Sequence, residues 1–190
     1  MQLSTRFNEA LVYAAQLHAT QRRKGSDTPY VAHLLAVASL VLEHGGDEDT
    51  AIAALLHDAV EDQGGPATRA AIAERFGEPV AAIVDACSDA QSFPKPPWRE
   101  RKLAHLEVVR GADRATRLVL AADKLHNVRS LLADHAREGE AIWSRFRGGR
   151  DGTLWYYRAM AEILDGPEAC ALVAELRCAV GELERRCGAR

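Results

Sequence analysis

The residues of this chain best suited to chemistry lie in the run Ala-Leu-Leu-His-Asp-Ala-Val-Glu-Asp, residues 54–62. His57 and Asp58 are metal-ligand types, and Glu61 and Asp62 are carboxylates that could transfer protons. At helical spacing His57 lies over Glu61 and Asp58 lies over Asp62. Four ionisable groups directly after an apolar stretch would be unfavourable in a hydrophobic core without a ligand, and a bound cation would stabilise them. The run therefore predicts a metal site with catalytic groups beside it.

Further ligands must come from other segments, because adjacent His57 and Asp58 can hold an ion only from the edge of a helix. His33 begins the second predicted helix. Asp123 lies in Ala-Ala-Asp-Lys-Leu-His-Asn, residues 121–127, where a carboxylate among apolar neighbours needs a partner. Taken alone, His33 could be a helix-start or core histidine, and Asp123 could be the buried partner of an arginine.

The ordered set of His33, His57-Asp58 and Asp123 resembles the H…HD…D metal signature of the HD-domain phosphohydrolases. Over roughly Phe7 to Leu132, the chain also resembles the hydrolase domain of the Rel/Spo and Mesh1-type alarmone hydrolases. Three blocks carry this resemblance: Arg23-Lys24-…-Pro29-Tyr30-…-His33, His57-Asp58-…-Glu61-Asp62, and Asp123-Lys124-Leu125-His126-Asn127. The resemblance implies a metal-dependent hydrolase that removes 3′-pyrophosphate from (p)ppGpp.

The resemblance implies that His33, His57, Asp58 and Asp123 hold one divalent ion. Two imidazoles and two carboxylates suit Zn²⁺, Mn²⁺ or Fe²⁺. Because the resembling hydrolases typically use manganese, we expect Mn²⁺, with Zn²⁺ and Fe²⁺ as alternatives. His126 does not match a ligand position of the family, and we expect a structural role for it.

The resemblance also implies roles beside the ion. The acidic pair that matches Glu61 and Asp62 is the catalytic pair of the family. Beside a metal ion, one carboxylate could align or deprotonate the attacking water, and the other could assist the leaving oxygen. Arg23 would flank the nucleobase, Lys24 would contact phosphate, and Asn127 would bond a ribose or phosphate oxygen. From the residues alone, the acidic pair could also end a helix in solvent, and the basic pair could be a solvated helix end.

Three features depart from the family pattern. Leu34 follows the first ligand where several relatives carry proline, Gln63 follows the acidic pair where threonine is usual, and residues 88–98 differ from the best-studied members. These departures spare the metal ligands but leave the substrate open. One alternative is an HD-type phosphatase that acts on another nucleotide, such as a 5′-nucleotide or NADPH. Another is a nucleotide-sensing or protein-binding module without turnover.

Apolar residues recur at helical spacing along nearly the whole chain, and no run alternates convincingly with period two. We predict an all-α, single-domain HD-domain bundle of about nine or ten helices over residues 1–190. Its core would span about 7–164, and an amphipathic C-terminal helix would cover about 168–186. Asp47 is the predicted N-cap of a helix Glu48–Glu61 that carries the opening run. The other predicted helices are Phe7–Arg22, one around Leu34–Leu42, Ala67–Phe76, Glu78–Asp89, Arg99–Arg110, Arg114–Arg137 and Leu154–Leu164.

The run Ser-Phe-Pro-Lys-Pro-Pro-Trp at residues 92–98 predicts a loop. The basic residues in and after it could form a mobile rim over phosphates: Lys95, Arg99, Arg101 and Lys102. Tyr156 is a candidate nucleotide contact, although packing of a terminal helix is the more common role for such an aromatic residue.

The composition narrows the class of protein. The chain has 190 residues, of which 47% are hydrophobic, enough for the core of one domain. A formal net charge of -3 gives no overall attraction to nucleic acid or to an anionic membrane. Without a signal-peptide core or a bilayer-spanning segment, we expect a soluble cytoplasmic protein with a small-molecule nucleotide as its partner. The C-terminal helix could support a homodimer or belong to the monomer core.

The remaining histidines and the cysteines have no motif context. Four cysteines, at positions 87, 170, 178 and 187, show no CxxC pairing and are typical of reduced thiols rather than a zinc knuckle. We expect structural or surface roles for His18, His44, His105 and His135.

Overall fold

The computed structural model describes residues 2–89, 96–166 and 170–188. This described part contains ten α-helices, one 3-10 helix and no β-strand, which confirms the all-α prediction. The α-helices are α1 (Thr5–Leu17), α2 (Val31–Glu43), α3 (Glu48–Leu56), α4 (Ala59–Asp62), α5 (Pro66–Phe76), α6 (Glu78–Cys87), α7 (Trp98–Arg110), α8 (Arg114–Glu138), α9 (Gly149–Leu164) and α10 (Ala171–Arg186). The 3-10 helix Gly139–Arg145 lies between α8 and α9.

The long helix α8 runs through the centre of the bundle and packs against α2, α3, α6, α9 and α10. Helix α3 is buried on every side from Thr50 to Leu56. Burial all round is typical of an inner helix. The small side chains of Ala51, Ala53 and Ala54 let neighbouring helices approach it closely. The segments that carry most of the predicted metal ligands therefore belong to the most enclosed layer of the fold.

The predicted helix Glu48–Glu61 is wrong at its C-terminal end. Helix α3 ends at Leu56, and α4 begins only at Ala59. Between them His57 and Asp58 keep right-handed backbone angles, but Asp58 has ψ -4°, which opens the turn. In a regular helix neighbouring side chains diverge by about 100°. The break allows the side chains of two adjacent residues to aim at one point.

Side-chain caps fix the starts of three helices. Ser4 accepts the Arg6 N–H at the start of α1, and Asp113 accepts the Thr116 N–H at the start of α8. Asp47 accepts the N–H of Thr50 at 2.8 Å, which confirms the predicted N-cap of α3. Each such cap contributes about 1 kcal/mol to helix stability.

The first helix is shorter than the predicted Phe7–Arg22, because the chain turns back after Leu17. The N–H of Arg23 donates to the carbonyl of Thr28 at 2.8 Å and closes a tight loop. This loop holds Arg23 and Lys24 beside the start of α2.

The sequence pattern did not predict the 3-10 helix Gly139–Arg145, and α9 begins before the predicted helix Leu154–Leu164. The first residue of α9, Gly149, has φ +60°, a region that favours glycine. A Cβ atom on Gly148 would lie 2.7 Å from the indole ring of Trp98. Glycine at this position therefore lets the start of α9 pack closely against the start of α7.

The predicted C-terminal helix 168–186 corresponds to α10, and residues 167–169 lie outside the described part of the chain. The apolar face of α10, which includes Leu172, Leu176 and Leu183, is buried against α8 and α9. This face is therefore used within the monomer core. The other predicted helices are confirmed, with small shifts at their ends.

Residues 92–95 of the predicted loop also lie outside the described residues. None of the helices in the described ranges combines the length and hydropathy that a bilayer crossing requires.

Candidate metal centre and substrate cleft

The four predicted metal ligands converge on one point. The Nε2 atom of His57 lies 3.0 Å from Asp58 Oδ2 and 3.7 Å from Asp123 Oδ1. The Nε2 atom of His33 lies 3.2 Å from Asp123 Oδ1 and 3.6 Å from Asp58 Oδ2. We call these four residues the metal centre.

Three sequence-distant segments supply these side chains. His33 lies in the first turn of α2, and Asp123 lies near the middle of α8. His57 and Asp58 come from the break between α3 and α4. Because α8 packs against both α2 and α3, the core itself brings the three segments together.

Both imidazoles of the metal centre turn an unpartnered nitrogen inward. The Nδ1 atom of His57 lies 2.8 Å from the carbonyl oxygen of Ala54, which can only accept, so Nδ1 carries the proton. The Nε2 atoms of His57 and His33 are buried and, within the described residues, have no hydrogen-bond partner. A buried nitrogen without a partner is unfavourable unless it binds something else. These two nitrogens are therefore placed as ligand atoms.

His126 supports the first ligand. Its Nδ1 atom lies 2.7 Å from Nδ1 of His33. If Nε2 of His33 is to bind an ion, its Nδ1 carries the proton and donates to His126, which must then be neutral at Nδ1. Burial, with the nearby His33 and Arg23, lowers the pKa of His126 to about 4, which keeps this ring neutral.

Neighbouring groups also hold both carboxylates of the metal centre. The hydroxyl of Tyr30 donates to Asp58 Oδ2 at 2.6 Å, and Lys124 Nζ lies 2.5 Å from Asp123 Oδ2. Burial raises the pKa of both carboxyls, but His57 beside Asp58 and Lys124 beside Asp123 outweigh burial and hold each pKa well below its usual range. Both groups therefore stay ionised, as metal ligands must.

The metal centre fits a divalent cation. Burial lowers the pKa of His57, but the carboxylates of Asp58 and Asp123 outweigh burial and raise it well above its ordinary value. The facing acidic groups therefore attract a positive charge to this point, which a metal ion can supply in place of the imidazole proton. Two nitrogen and two oxygen donors suit a borderline or hard ion.

A cavity of about 190 Å³ lies against the metal centre. Glu61 and Asp62 line it together with Asp58, Asp123 and Lys124. The predicted acidic pair thus shares a cavity with two predicted ligands, although the break in the helix separates the two pairs.

Each member of the acidic pair has an anchor. The backbone N–H of Asp89 donates to Glu61 Oε2 at 3.2 Å. The side-chain amide of Gln21 donates to Asp62 Oδ2 at 2.8 Å. Glu61 is partly buried and Asp62 is exposed, so Glu61 is the more enclosed of the two carboxylates.

The three predicted substrate residues lie beside the metal centre. Asn127 Nδ2 donates to Asp123 Oδ1 at 2.5 Å, and Asn127 Oδ1 accepts from Arg23 Nη2 at 2.8 Å. Lys24 Nζ lies 4.8 Å from the ring centroid of Phe146. Asn127 therefore links a predicted substrate residue to a predicted metal ligand, a connection that its type alone did not indicate.

Two larger cavities adjoin the small one. A cavity of about 500 Å³ is lined by residues that include Lys24, Glu61, Lys124, Arg147 and Tyr157. Another of about 490 Å³ has Arg23, Lys24 and Asn127 in its wall. We call these connected spaces the cleft. Its cationic and aromatic walls suit a phosphorylated ligand with a planar ring.

Asp89 is the centre of a charged group that the sequence did not single out. Its carboxylate contacts Arg101 Nη1 and Lys102 Nζ, and its side chain is only 6% exposed. Burial raises its pKa, but Lys102 and Arg101 outweigh burial and lower the pKa of Asp89 to about 2. We call these three residues the Asp89 cluster.

The structure does not support the mobile basic rim. Arg99, Arg101 and Lys102 lie in α7, and Lys95 lies outside the described residues. The guanidinium of Arg99 lies 3.4 Å from the ring centroid of Trp155, and the other two contact Asp89. A proline-rich sequence before a helix is typical of a loop, but Arg99, Arg101 and Lys102 each contact another side chain of the fold.

Tyr156 is buried in the wall of the cleft. Its hydroxyl donates to Nδ1 of His105 at 2.8 Å, and Nε2 of His105 lies 3.1 Å from the carbonyl of Ala86. That carbonyl can only accept, which puts the imidazole proton on Nε2. His105 therefore joins α6, α7 and α9, which is the structural one of the two roles, structural or surface, that we expected for it.

Sequence reasoning missed several supports of the metal centre: Tyr30, Lys124 and His126. A signal existed for two of them, since His126 lies three residues after Asp123, on the same helix face, and Lys124 is its neighbour. Tyr30 precedes His33 by three residues but belongs to a turn, so helical spacing gave no reason to pair it with Asp58.

The HD domain family matches residues 10–154 of this chain. The chain is 42% identical over 126 residues to guanosine-3′,5′-bis(diphosphate) 3′-pyrophosphohydrolase MESH1 of Xenopus tropicalis, covering 65% of this chain and 68% of the relative. The human MESH1 protein is 37% identical over 126 residues, with the same coverage.

A solved structure of a metazoan SpoT ortholog that hydrolyses ppGpp superimposes with a TM-score of 0.78 at 29% identity. That similarity covers 100% of this chain and 99% of the other. The chain therefore belongs to the HD domain family, and its relatives include the MESH1 pyrophosphohydrolases.

Proposed function

We propose that this protein is a metal-dependent hydrolase that removes pyrophosphate from the 3′ position of (p)ppGpp. The observation that carries the proposal is the convergence of two imidazole nitrogens and two carboxylates beside a cavity that Glu61 and Asp62 also line. The similarity to MESH1 relatives supports the same substrate.

We assign one divalent ion to His33, His57, Asp58 and Asp123. When bound, it would supply Lewis acidity to the phosphoryl group and lower the pKa of a water molecule. Mn²⁺ is our first choice, and Zn²⁺ and Fe²⁺ suit the same donors.

We assign the proton transfers to the acidic pair. Glu61, the more enclosed carboxylate, would accept a proton from the attacking water, and the Asp89 N–H would keep its carboxylate oriented. Asp62, held by Gln21, would assist the departing 3′ oxygen. Water supplies one oxygen and two protons, and the products are pyrophosphate and the 5′-phosphorylated guanosine.

The cleft would hold the phosphates and the nucleoside. Lys24 and Lys124 line the cavity of about 500 Å³ together with Glu61, and their charge suits the phosphate chain. Arg23 lies 5.7 Å from the ring centroid of Tyr30, where its guanidinium could flank a nucleobase. Asn127 would bond ribose or phosphate while it holds Asp123.

The test is product analysis with purified protein, Mn²⁺ and a set of nucleotides that includes ppGpp, a 5′-nucleotide and NADPH. Pyrophosphate and orthophosphate are resolved by chromatography. We expect pyrophosphate and GDP from ppGpp, and a release by Asp58→Ala that is about a thousandfold slower.

The other outcomes identify the alternative functions. Orthophosphate from a 5′-nucleotide or NADPH, without pyrophosphate from ppGpp, would replace the proposal with an HD-type phosphatase. Nucleotide binding without any product, in protein shown to contain metal, would indicate a sensing module.

A further inference from the structure

A second group of metal-binding side chains lies away from the cleft. His135 in the last turn of α8, Glu140 in the 3-10 helix and Cys187 at the C-terminal end of α10 each offer one ligand atom. These three atoms all lie within 4.8 Å of one another. Nε2 of His135 is 3.0 Å from Oε1 of Glu140. We call these residues the His135 cluster.

The surroundings orient the donors of the cluster. Glu140 directs Oε1 towards His135 and Oε2 towards Arg150 Nη1, at 3.8 Å, so a cation at the cluster and Arg150 would use different oxygens. Cys187 is 6% exposed and forms no disulfide. The Glu140 side chain is 60% exposed, which leaves the cluster accessible to a small ion.

We propose that His135, Glu140 and Cys187 bind a second divalent cation of thiophilic character, with Zn²⁺ the best fit. Nitrogen, carboxylate oxygen and thiolate are the three donor types that zinc accepts, and a water molecule would complete a tetrahedron. Bonds of 2.0–2.3 Å place the donors of such an ion roughly 3.5 Å apart. Small side-chain rotations would therefore bring the three donor atoms to these separations.

Binding requires the thiolate form of Cys187. Burial and the nearby Glu140 carboxylate raise the pKa of this thiol, so the free cluster holds a thiol. The incoming cation would displace that proton to the buffer and bind the thiolate, with no change in oxidation state.

The proposal does not depend on the hydrolase function. The family match ends at residue 154, before Cys187 and the helix that carries it. An ion here would join α8, the 3-10 helix and α10. The segment after the 3-10 helix carries Phe146 and Arg147, which line the cleft, so the ion would also fix one wall of that space.

Cobalt(II) provides a test because a thiolate ligand gives a near-ultraviolet charge-transfer band that nitrogen and oxygen ligands do not. The four predicted ligands of the metal centre include no sulfur. Full-length protein with reduced thiols is titrated with Co²⁺, followed by Zn²⁺ as competitor. We expect a charge-transfer band that reaches its maximum when each His135 cluster has bound one Co²⁺ ion. The band should disappear when Zn²⁺ is added.

Three variants locate the band. Cys187→Ser should abolish it, whereas Cys178→Ser, which changes an exposed thiol of the same helix, should retain it. Glu140→Gln alters an exposed side chain and should weaken Co²⁺ binding by roughly tenfold or more, since even supporting groups matter on this scale. If Cys187→Ser does not fold, as judged by circular dichroism, Glu140→Gln decides.

Two results would overturn the proposal: no charge-transfer band at excess Co²⁺ in the unmodified protein, or a band that neither Cys187→Ser nor Glu140→Gln weakens. Asp58→Ala, which disables the metal centre, should keep the band. If the protein proved not to be a hydrolase, the charge-transfer band would therefore still be expected.

Discussion

The metal centre and the Asp89 cluster each contribute residues to the wall of the same small cavity, but their electrostatics differ. Asp89 contacts two cationic side chains of its own chain, Arg101 and Lys102. In the metal centre Lys124 contacts only Asp123 Oδ2. Asp123 Oδ1 and Asp58 Oδ2 face two imidazoles whose Nε2 atoms have no hydrogen-bond partner within the described residues.

The difference distinguishes a structural carboxylate from one placed for a ligand. A buried ion pair is complete within the fold, and removing one partner leaves an uncompensated charge. The metal centre concentrates donors that a cation from solution would satisfy. A buried acidic residue near a cleft is therefore structural where side chains of the fold supply its compensating positive charge, and is placed for a ligand where a cation from solution must supply it.

The largest expected effect is at the metal centre. Asp58→Ala should lose bound metal and lower hydrolysis by about a thousandfold, a loss of roughly 4 kcal/mol of transition-state stabilisation. Elemental analysis and steady-state kinetics measure both quantities. The thermal stabilisation by Mn²⁺ should vanish in this variant and persist in Asp89→Asn. Metal content equal to that of the unmodified protein would contradict the ligand assignment.

Asp89→Asn should lower the free energy of unfolding by about 3–5 kcal/mol, because Arg101 and Lys102 lose the carboxylate that compensates them. Urea unfolding with and without Mn²⁺ measures the change, which should be similar in both conditions. Glu74→Gln, an exposed acidic residue on α5, is the control and should change stability little. A loss of unfolding free energy that appears only when Mn²⁺ is present would indicate that Asp89 acts through the metal centre and not through a separate ion pair.

His105 makes the wall near the Asp89 cluster sensitive to acid. Burial, with the nearby Lys124 and Lys102, lowers the pKa of His105 to about 4, below its ordinary value of 6.5. The unfolded chain therefore binds the proton first as pH falls, so stability present above pH 6.5 is lost progressively down to about pH 4. The shift corresponds to roughly 3 kcal/mol.

His105→Gln can keep both hydrogen bonds without titrating. Its stability, measured by urea unfolding in the presence of chelator, should therefore fall less steeply than that of the unmodified protein between pH 6.5 and pH 4. Parallel pH profiles would rule out His105 as a source of the acid sensitivity.

Glu61 lies between the two regions, since it lines the small cavity and accepts the N–H of Asp89. Glu61→Gln should keep the metal and reduce turnover about a hundredfold, the usual scale for a proton-transfer group. Kinetics and elemental analysis on the same sample measure this. Full turnover would remove Glu61 from its catalytic role and leave Asp62 as the candidate.

His126→Phe should have the smallest of these effects. It removes the nitrogen that holds Nδ1 of His33 and should weaken metal affinity by about ten- to a hundredfold, as loss of such supports typically does. A competition titration with a chelating indicator measures the affinity. His44→Phe, on the opposite end of α2, is a control that should leave the affinity unchanged.

Local pattern predicted most of the helices, because apolar spacing and capping residues act within a few turns of chain. Asp47 and the long helix α8 are examples. Pattern failed where a distant contact overrides the local preference. The segment 48–61 reads as one helix, but the backbone opens at Asp58, where the side chain meets Tyr30 and His57. The 3-10 helix was missed for a similar reason, since Ile142 and Trp143 make it fold onto the core.

By itself, the sequence determined the all-α class, the ligand types in their order and the acidic pair beside them, because residue chemistry and helical period are local properties. Only the tertiary structure decided which atoms meet. Packing of α8 against α2 and α3 brought His33, His57, Asp58 and Asp123 together, gave His126 its role and set Cys187 beside His135. Such contacts join residues far apart in the chain, and no spacing rule within one helix can specify them.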